Sequence, residues 1–222
     1  MGRKKTSWPV PRPAGRGRRT EAESKRTAIH EAGHAVASVV LGIPIEYVAI
    51  SGAEGYTHAL SGTWFRSPTN PLSTEEKAGR AMVASMAGLA AEFSVTNLSL
   101  SKAAQSEAVS GATDDVAACN AAVGQVELLP FVNGCYELSR QQATAVHWQA
   151  VLTASDIVCA CPKSFETIVL ALLRQGRIEQ SELGTLLFEA EVTRLRGQWD
   201  SEGLGEKFVD ELKVAVAALG RR

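Results

Sequence analysis

The 222-residue sequence predicts a mainly helical fold with a small β-sheet that follows the first long helix. Two observations lead to this prediction. A Ser or Thr with a Glu or Gln three residues later, a pair that caps helix N-termini, precedes long apolar-periodic segments at Thr20, Ser73 and Ser139. Only residues 45–66 alternate in the manner of β-strands. We therefore expect about seven helices around one small sheet.

The expected elements follow the chain in a simple order. Two strands are expected at residues 45–50 and 62–66, separated by a Gly/Ser-rich turn at residues 51–55. Residues 99–110 are polar and are expected to form a mobile loop. The expected helices cover residues 20–41, 73–93, 113–124, 139–160, 164–175, 179–196 and 206–219.

The overall composition is that of one soluble globular domain, with 45% hydrophobic and 21% charged residues. The four cysteines have no C-x-x-C spacing and no secretory signal precedes them, so they indicate reduced thiols in a cytoplasmic protein. The longest apolar segments, residues 35–45 and 81–95, are shorter than the roughly 18 residues that a membrane span needs. We expect no membrane span.

Residues 1–26 form a basic segment, with nine Lys or Arg against two Glu and a net charge of +7. Such a segment buries too little apolar surface to order itself. The sequence therefore predicts a disordered basic tail at 1–26 and a folded domain at 27–222. The tail could contact nucleic acid or an anionic membrane, but a solubilising role is favoured, so nucleic acid is not the expected partner.

The sequence HEAGH at residues 30–34 is the strongest chemical signal in the chain. Two histidines four apart on a helix lie on one face, so both imidazoles reach one ion while Glu31 leans toward the same space. This is the HExxH arrangement of zinc hydrolases, which predicts Zn²⁺ held by His30 and His34. The competing interpretation is a helix with two solvated or core-capping histidines. Gly33 costs helix stability, about 1 kcal/mol relative to alanine, which suggests a close approach there.

A catalytic zinc usually takes three protein ligands, and the residues alone leave the third one open. The longer motif HExxHxxGxxH is absent. Glu54 lies in a flexible turn, a poor platform for a ligand. Glu92 could be a ligand or a hydrogen-bond acceptor for an imidazole N–H, and Asp115 a ligand or an acidic first turn of a helix. His58 and His147 are expected as a loop histidine and a helix-surface histidine.

Five segments resemble the protease domain of the FtsH family of ATP-dependent zinc metalloproteases. They are HEAGHA at 30–35, the predicted strands at 45–50 and 62–65 (GTWF), AGLAAEF at 87–93 and SGATDDV at 110–116. The resemblance covers about residues 27 to 190 and is specific at the first and last of these segments. It implies a helical metalloprotease domain with a small sheet after the HExxH helix.

The resemblance also implies roles for individual residues. Asp115 falls on the aspartate that is the third zinc ligand in the family, and Glu92 falls on a glutamate that supports the site. The segment Gly62, Thr63, Trp64 and Phe65 falls on a strand that binds extended peptide by strand addition. No residue of the sequence is identified as the oxyanion donor.

The chain also departs from the family pattern. Leu89 stands in place of an arginine and Phe93 in place of a second glutamate. The membrane helices and ATPase module of the family are not present in these 222 residues, and no phosphate-binding G-x-x-x-x-G-K-[ST] loop occurs. Activity is therefore expected to be independent of ATP or to require a separate ATPase partner.

The sequence thus predicts a stand-alone zinc metalloendopeptidase that uses Glu31 as general base on peptides or unfolded proteins. A homo-oligomer is expected from the ring-forming family and from an amphipathic C-terminal helix, whose apolar face needs a partner. The alternative is that this helix folds back on the core of its own chain. Two other functions stay open at this stage. One is a catalytically idle relative that serves protein interaction, and the other is a nucleic-acid-associated protein that uses the basic tail. The apolar face of the amphipathic C-terminal helix comprises Phe208, Leu212, Ala215 and Leu219.

Overall fold

The computed structural model describes residues 21–51, 54–59, 61–67, 69–96, 112–126, 128 and 138–219. These residues form ten helices and three short strands, so the predicted mainly helical fold with a small sheet is confirmed. In chain order the elements are α1 Glu21–Val40, β1 Ile45–Ser51, β2 Glu54–Ala59, α2 Ser61–Arg66, α3 Thr74–Ser85, α4 Ala87–Thr96, α5 Thr113–Val123, α6 Arg140–Ala160, α7 Pro162–Gln175, β3 Arg177–Glu179, α8 Gln180–Leu186, α9 Glu189–Glu202 and α10 Leu204–Leu219.

Helix α1 runs through the centre of the domain and contacts α4, α6, α7 and the sheet. Its second half is almost wholly apolar, and Val36 and Val40 are fully buried. The helix ends where the sequence predicts, because Gly42 adopts a left-handed backbone (φ 72°) that ordinary residues disfavour. His30 and His34 remain partly exposed and lie on one face of α1.

The contact between α1 and α4 is unusually close at Gly33. A Cβ atom at this position would lie 2.3 Å from the carbonyl oxygen of Ala87 and 2.6 Å from the Cβ of Ala91. No side chain fits in that space, so the glycine lets the two helix backbones approach. The close approach predicted from a glycine inside the motif is confirmed, and it brings α4 against the histidine face of α1.

The sheet has the antiparallel order β2-β1-β3, but its second strand is not the predicted one. Strand β2 begins at Glu54, inside the predicted turn, and pairs with β1 from Ser51↔Glu54 to Ile45↔Ala59. A two-residue connection between paired strands is the commonest hairpin geometry and places residues 54–59 directly beside β1. Residues 62–66, predicted as a strand, belong instead to helix α2. A short apolar run does not distinguish the two states by its pattern.

Other differences concern helix boundaries. The predicted helix 73–93 is divided at Met86 into α3 and α4, and the predicted helix 179–196 is divided into α8 and α9. Neither break contains a proline, and the apolar periodicity of the sequence continues across both. The sequence pattern therefore does not indicate the breaks. Helix α5 has Ala112, without a side-chain cap, where the sequence predicts Thr113 as N-cap. The caps at Ser73 and Ser139 are confirmed, whereas Thr20 and the predicted loop 99–110 lie outside the described residues.

The apolar face of helix α10 is largely covered by the rest of the chain, although Ala215 of the predicted face is exposed and Leu219 is only partly buried. Phe208, Leu212 and Val216 are buried, and the helix packs on α3 and α6. This face therefore needs no partner chain, and it gives no support to the predicted oligomer, which stays untested. Among the described residues, none of the helices is long and apolar enough to cross a lipid bilayer.

A buried arginine connects α3 to three other parts of the fold. Arg80 is 2% exposed and donates from Nε to Glu76 Oε1 at 2.6 Å, from Nη1 to the carbonyl of Leu41 at 3.0 Å, and from Nη2 to Asp200 Oδ1 at 2.8 Å. The second carboxylate oxygen of Glu76 accepts from the backbone N–H of Glu206 at 2.8 Å. These bonds hold the end of α1, α9 and α10 against α3.

We expect Arg80→Ala to lower the free energy of unfolding by about 3 kcal/mol, because it leaves the Glu76 carboxylate buried without its cation. The control is Lys213→Ala, which removes an exposed ion pair with Asp210 (3.2 Å) and should cost less than about 1 kcal/mol. Urea denaturation measures both values. Similar effects of the two substitutions would contradict a stabilising role for the buried network.

Candidate metal centre

Three side chains from two helices meet at the partly exposed face of α1. His34 Nε2 lies 3.1 Å from His30 Nε2 and 3.1 Å from Asp115 Oδ1, and His30 Nε2 lies 3.4 Å from Asp115 Oδ2. The histidines come from α1, and Asp115 comes from the first turn of α5, 81 residues beyond His34. The structure therefore brings together the three residues that the sequence analysis names as metal ligands.

The separations among these atoms fit a metal ion in tetrahedral coordination. Bonds of about 2.0 to 2.1 Å, as zinc makes to nitrogen and oxygen, place neighbouring ligand atoms about 3.3 Å apart. The Nε2–Nε2 separation of 3.1 Å lies near that value, and so do the 3.1 Å from His34 to Asp115 Oδ1 and the 3.4 Å from His30 to Asp115 Oδ2. Taken with one atom from each residue, the three ligand atoms lie within 4.8 Å of one another. Asp115 Oδ2 is also buried and has no hydrogen-bond partner in the described part of the chain. A buried acceptor without a partner is costly, and a cation between the three groups would satisfy it.

The outer nitrogen of each imidazole faces an acceptor. His30 Nδ1 lies 2.9 Å from Glu92 Oε1, and His34 Nδ1 lies 2.9 Å from the carbonyl oxygen of Ala84. We infer from these partners that both Nδ1 atoms carry a proton, so in the neutral rings the Nε2 lone pairs face the common centre. Arg26 Nε donates to the other oxygen of Glu92 at 2.6 Å. Glu92 thus orients an imidazole from behind rather than joining the three-residue cluster.

The electrostatics of the cluster favour positive charge at its centre. Burial alone would lower the pKa of His30, but hydrogen bonds to Asp115 and Glu92 outweigh it and raise that pKa to about 10. For His34, burial again opposes charge, and the Asp115 carboxylate raises the pKa above its usual value. The two histidines hold the pKa of Asp115 well below its usual range despite its burial. The cluster therefore favours positive charge at its centre, and a bound cation would supply that charge.

Gly88, in the first turn of α4, leaves the space beside the two imidazoles open. A Cβ atom here would lie 2.4 Å from His30 Nε2 and 2.5 Å from His34 Nε2. Its backbone is not left-handed, so this glycine is required for space and not for conformation. The sequence analysis did not identify Gly88 as a site residue. The feature of the sequence that could have indicated this role is a glycine in the first turn of an otherwise apolar helix.

Glu31 lies beside the cluster in a cleft of about 420 Å³. Its side chain is only 5% exposed, and it accepts a hydrogen bond from Thr57 Oγ1 at 2.7 Å. Strand β2 forms one wall of the cleft through residues 55–58, and residues of α1, α3 and α5 form the others. The cleft thus contains a three-ligand cluster, a neighbouring carboxylate and an extended wall.

The predicted peptide-binding strand at Gly62, Thr63, Trp64 and Phe65 is wrong, because these residues form part of α2. Trp64 and Phe65 pack against the hydrophobic core. Their indole and phenyl rings gain more from burial than from standing at a polar cleft. Strand β2 lines the cleft in place of the predicted strand.

The remaining ligand candidates do not join the cluster. His58 lies on β2 rather than in a loop, and its Nδ1 is 2.8 Å from Glu46 Oε2. His147 is buried in α6 rather than exposed on its surface, where burial lowers its pKa and its Nε2 lies 2.8 Å from Asn120 Oδ1. Glu54 begins β2. Within the described residues, His30, His34 and Asp115 form the one group of three with metal-ligand spacing.

A comparison of the sequence with models of known protein families gives no match, and a search of curated proteins gives no significantly similar sequence. The resemblance to the FtsH protease domain therefore depends on the motifs alone. The geometry of the site is independent of that resemblance. It defines a pair of imidazoles and a carboxylate that can hold one divalent cation, with a second carboxylate beside them.

We expect Gly88→Ala to abolish high-affinity zinc binding without unfolding the protein, because the added methyl group displaces the far ends of two side chains and no backbone. Gly197→Ala is the matched control. It lies in a helix with nothing within 4 Å of the added atom and should leave zinc affinity unchanged. Isothermal titration calorimetry with zinc measures the affinity, and circular dichroism checks the fold. Undiminished zinc binding by Gly88→Ala would contradict the assigned centre.

Proposed function

We propose that this protein is a zinc-dependent metallopeptidase. The observation that supports the proposal most directly is the cluster of His30, His34 and Asp115 beside the largely buried Glu31, all in one open cleft. Structural zinc sites are closed by four protein ligands, whereas catalytic sites have three and leave one position for water or substrate. Three ligands and a neighbouring base in a cleft are the composition of a catalytic site.

The donor set favours zinc over magnesium and calcium. Two imidazole nitrogens and one carboxylate suit zinc, whereas magnesium and calcium prefer sites made wholly of oxygen. The separations of 3.1 to 3.4 Å fit tetrahedral coordination, which zinc adopts readily. Glu92 and the carbonyl of Ala84 support the two imidazoles, as outer partners do in zinc sites with histidine ligands.

Hydrolysis needs a polarised carbonyl, an activated water and a group that moves a proton. A zinc ion in the cluster supplies the first two, since it acts as a Lewis acid and lowers the pKa of water at the site to about 7. Glu31 takes the proton of the attacking water and passes it to the leaving amine nitrogen. Because Glu31 lies on the same helix as two ligands, its position relative to them is fixed by the helix itself.

Strand β2 is the surface against which an extended peptide would bind. It pairs with β1 on one side, and among the described residues no strand pairs with its other side. Backbone N–H and C=O groups on such an edge can hydrogen-bond an added strand. Because β2 also forms the cleft wall at residues 55–58, a peptide bound there passes the cluster. We propose peptides or unfolded proteins as substrates for this reason.

The cellular setting is part of the same proposal. Within these 222 residues no phosphate-binding loop occurs, so this chain would cleave unfolded substrates by itself and need a separate ATPase for folded ones. Cys119 and Cys161 are free and buried, and burial raises the pKa of their thiols to about 12 and about 11. Unreactive, unpaired thiols suit a reducing compartment, and we propose the cytoplasm.

The proposal is tested first by separating metal binding from catalysis. Purified protein supplied with zinc should hold about one zinc ion per chain and hydrolyse unfolded casein. His34→Ala should lose the metal and the activity together, because it removes a ligand. Glu31→Gln should retain the metal and lose hydrolysis, because only the proton acceptor is removed. Metal analysis and casein cleavage measure the two properties, and full hydrolysis by Glu31→Gln would refute the mechanism.

The second test separates a ligand from its supporting groups. Asp115→Ala removes both a bond and a charge from the metal, so it should weaken zinc binding more than Glu92→Gln, for which a loss of about 10- to 100-fold is typical. Asp114→Asn is the matched control. Asp114 is exposed and outside the cluster, so the zinc affinity of the Asp114→Asn variant should differ from that of the unmodified protein by less than about threefold. Competition with a fluorescent zinc chelator measures all three, and a larger loss in Glu92→Gln than in Asp115→Ala would reverse the assignment.

A further inference from the structure

The Glu31 side chain is held by two residues of β2, a strand that does not belong to its own helix. Thr57 Oγ1 lies 2.7 Å from Glu31 Oε2 and 3.2 Å from the Glu31 carbonyl oxygen. A hydroxyl has one proton, and the shorter contact to the charged oxygen is the stronger bond. The hydroxyl of Thr57 therefore fixes one of the two carboxylate oxygens.

Gly55 bounds the other oxygen. A Cβ atom at Gly55 would lie 2.3 Å from Glu31 Oε1 and 2.6 Å from Glu31 Cγ. The backbone of Gly55 is not left-handed, so any residue could adopt its conformation. What excludes a larger residue is the carboxylate itself, which occupies the space that a side chain would fill. Residues 55 and 57 thus contact opposite oxygens of one carboxylate.

Such a hold matters because glutamate is a flexible side chain. Burying and ordering a glutamate costs the side chain its rotamer freedom, and a general base must stay within hydrogen-bond reach of the proton that it removes. Threonine is stiff about χ1, and β2 is fixed to β1 by its ladder of hydrogen bonds. Contact with these two residues of the sheet therefore restricts the motion of the Glu31 side chain.

We propose that Thr57 is a positioning residue for the Glu31 carboxylate and that Gly55, which has no side chain, leaves the space that this carboxylate position requires. The catalytic meaning of the proposal rests on the proposed peptidase function. The arrangement has a chemical logic, because the hydrogen bond from Thr57 to Oε2 holds in one rotamer the carboxylate that takes up the proton. A purely structural alternative is that Thr57 only fastens the hairpin to α1.

Kinetics of the zinc-loaded protein separate these two roles. Thr57→Val keeps the shape of the side chain and removes the donor, so kcat on casein-derived peptides should fall about 10- to 100-fold while KM changes by less than about twofold. Thr57→Ser restores the hydroxyl and should recover kcat to within about threefold of the unmodified protein. Thr167→Val is the control, because Thr167 donates to the carbonyl of Lys163 within its own helix. Unchanged kcat in Thr57→Val, or no recovery in Thr57→Ser, would overturn the proposal.

A second variant tests the role of Gly55. The atoms that an alanine would meet are ends of the Glu31 and Thr27 side chains and not backbone, so Gly55→Ala should fold and displace the carboxylate. We expect its zinc content to match that of the unmodified protein and its kcat to fall by at least the amount seen in Thr57→Val. Gly184→Ala, with nothing within 4 Å of the added atom, is the control. Full activity in Gly55→Ala would show that the space is not needed.

A measurement on the metal-free protein decides the contact without any assay of hydrolysis. In a double-mutant cycle of Thr57→Val and Glu31→Met, the two substitutions should couple by about fivefold in the unfolding equilibrium constant, because each removes one partner of the same bond. Thr167→Val with Glu31→Met should be additive. Absence of coupling would overturn the positioning role even in an active enzyme. If the zinc-loaded protein hydrolyses nothing, the proposed function fails, and the coupling still decides whether Thr57 holds Glu31.

Discussion

The close contact between α1 and α4 is the constraint on which the site depends. Gly33 lets the backbone of α1 approach Ala87, and Gly88 keeps the space beside both imidazoles free. The same contact brings Glu92 to the outer nitrogen of His30. A larger residue at either glycine would separate the helices or displace the rings. The backbone separation of two helices thus sets both the orientation of the histidines and the room in front of them.

The site is assembled from parts that differ in rigidity. The histidines and Glu31 belong to one helix with a buried back, so their spacing is set by helical geometry. Asp115 arrives on another helix from a distant part of the sequence, and its position depends on how α5 packs against α3. The sheet contributes the wall of the cleft. Helix α1 fixes the spacing of His30 and His34, and the packing of α5 adds Asp115. The cluster therefore forms without a contact from the sheet.

Short sequence patterns predicted the parts of the structure that depend on interactions between neighbouring residues in the chain. The course of α1, its end at Gly42, strand β1 and the cap at Ser139 all follow from residues within a few positions. The second strand was missed because residues 54–59 become a strand by pairing with β1, and the first two of them belong to the predicted Gly/Ser-rich turn at 51–55. The roles of Gly88 and Thr57 were not predicted for the same reason, since each depends on a contact across the fold. The residues alone left Glu92 and Asp115 equivalent, and the family resemblance favoured Asp115. The packing of α4 and α5 places Asp115 in the cluster and Glu92 behind His30.

The Arg80 network also bears on where the folded unit ends. The motifs that resemble a known protease domain stop near residue 190, yet two of the groups that surround Arg80, Asp200 and the backbone of Glu206, come from beyond that point. A fragment cut at the limit of the resemblance would lack Asp200 as an acceptor for the buried guanidinium and would uncover the apolar surface of α3 beneath α10. Residues 191–219 therefore pack into the same fold as the cluster of His30, His34 and Asp115, and this fold extends beyond the recognisable motifs.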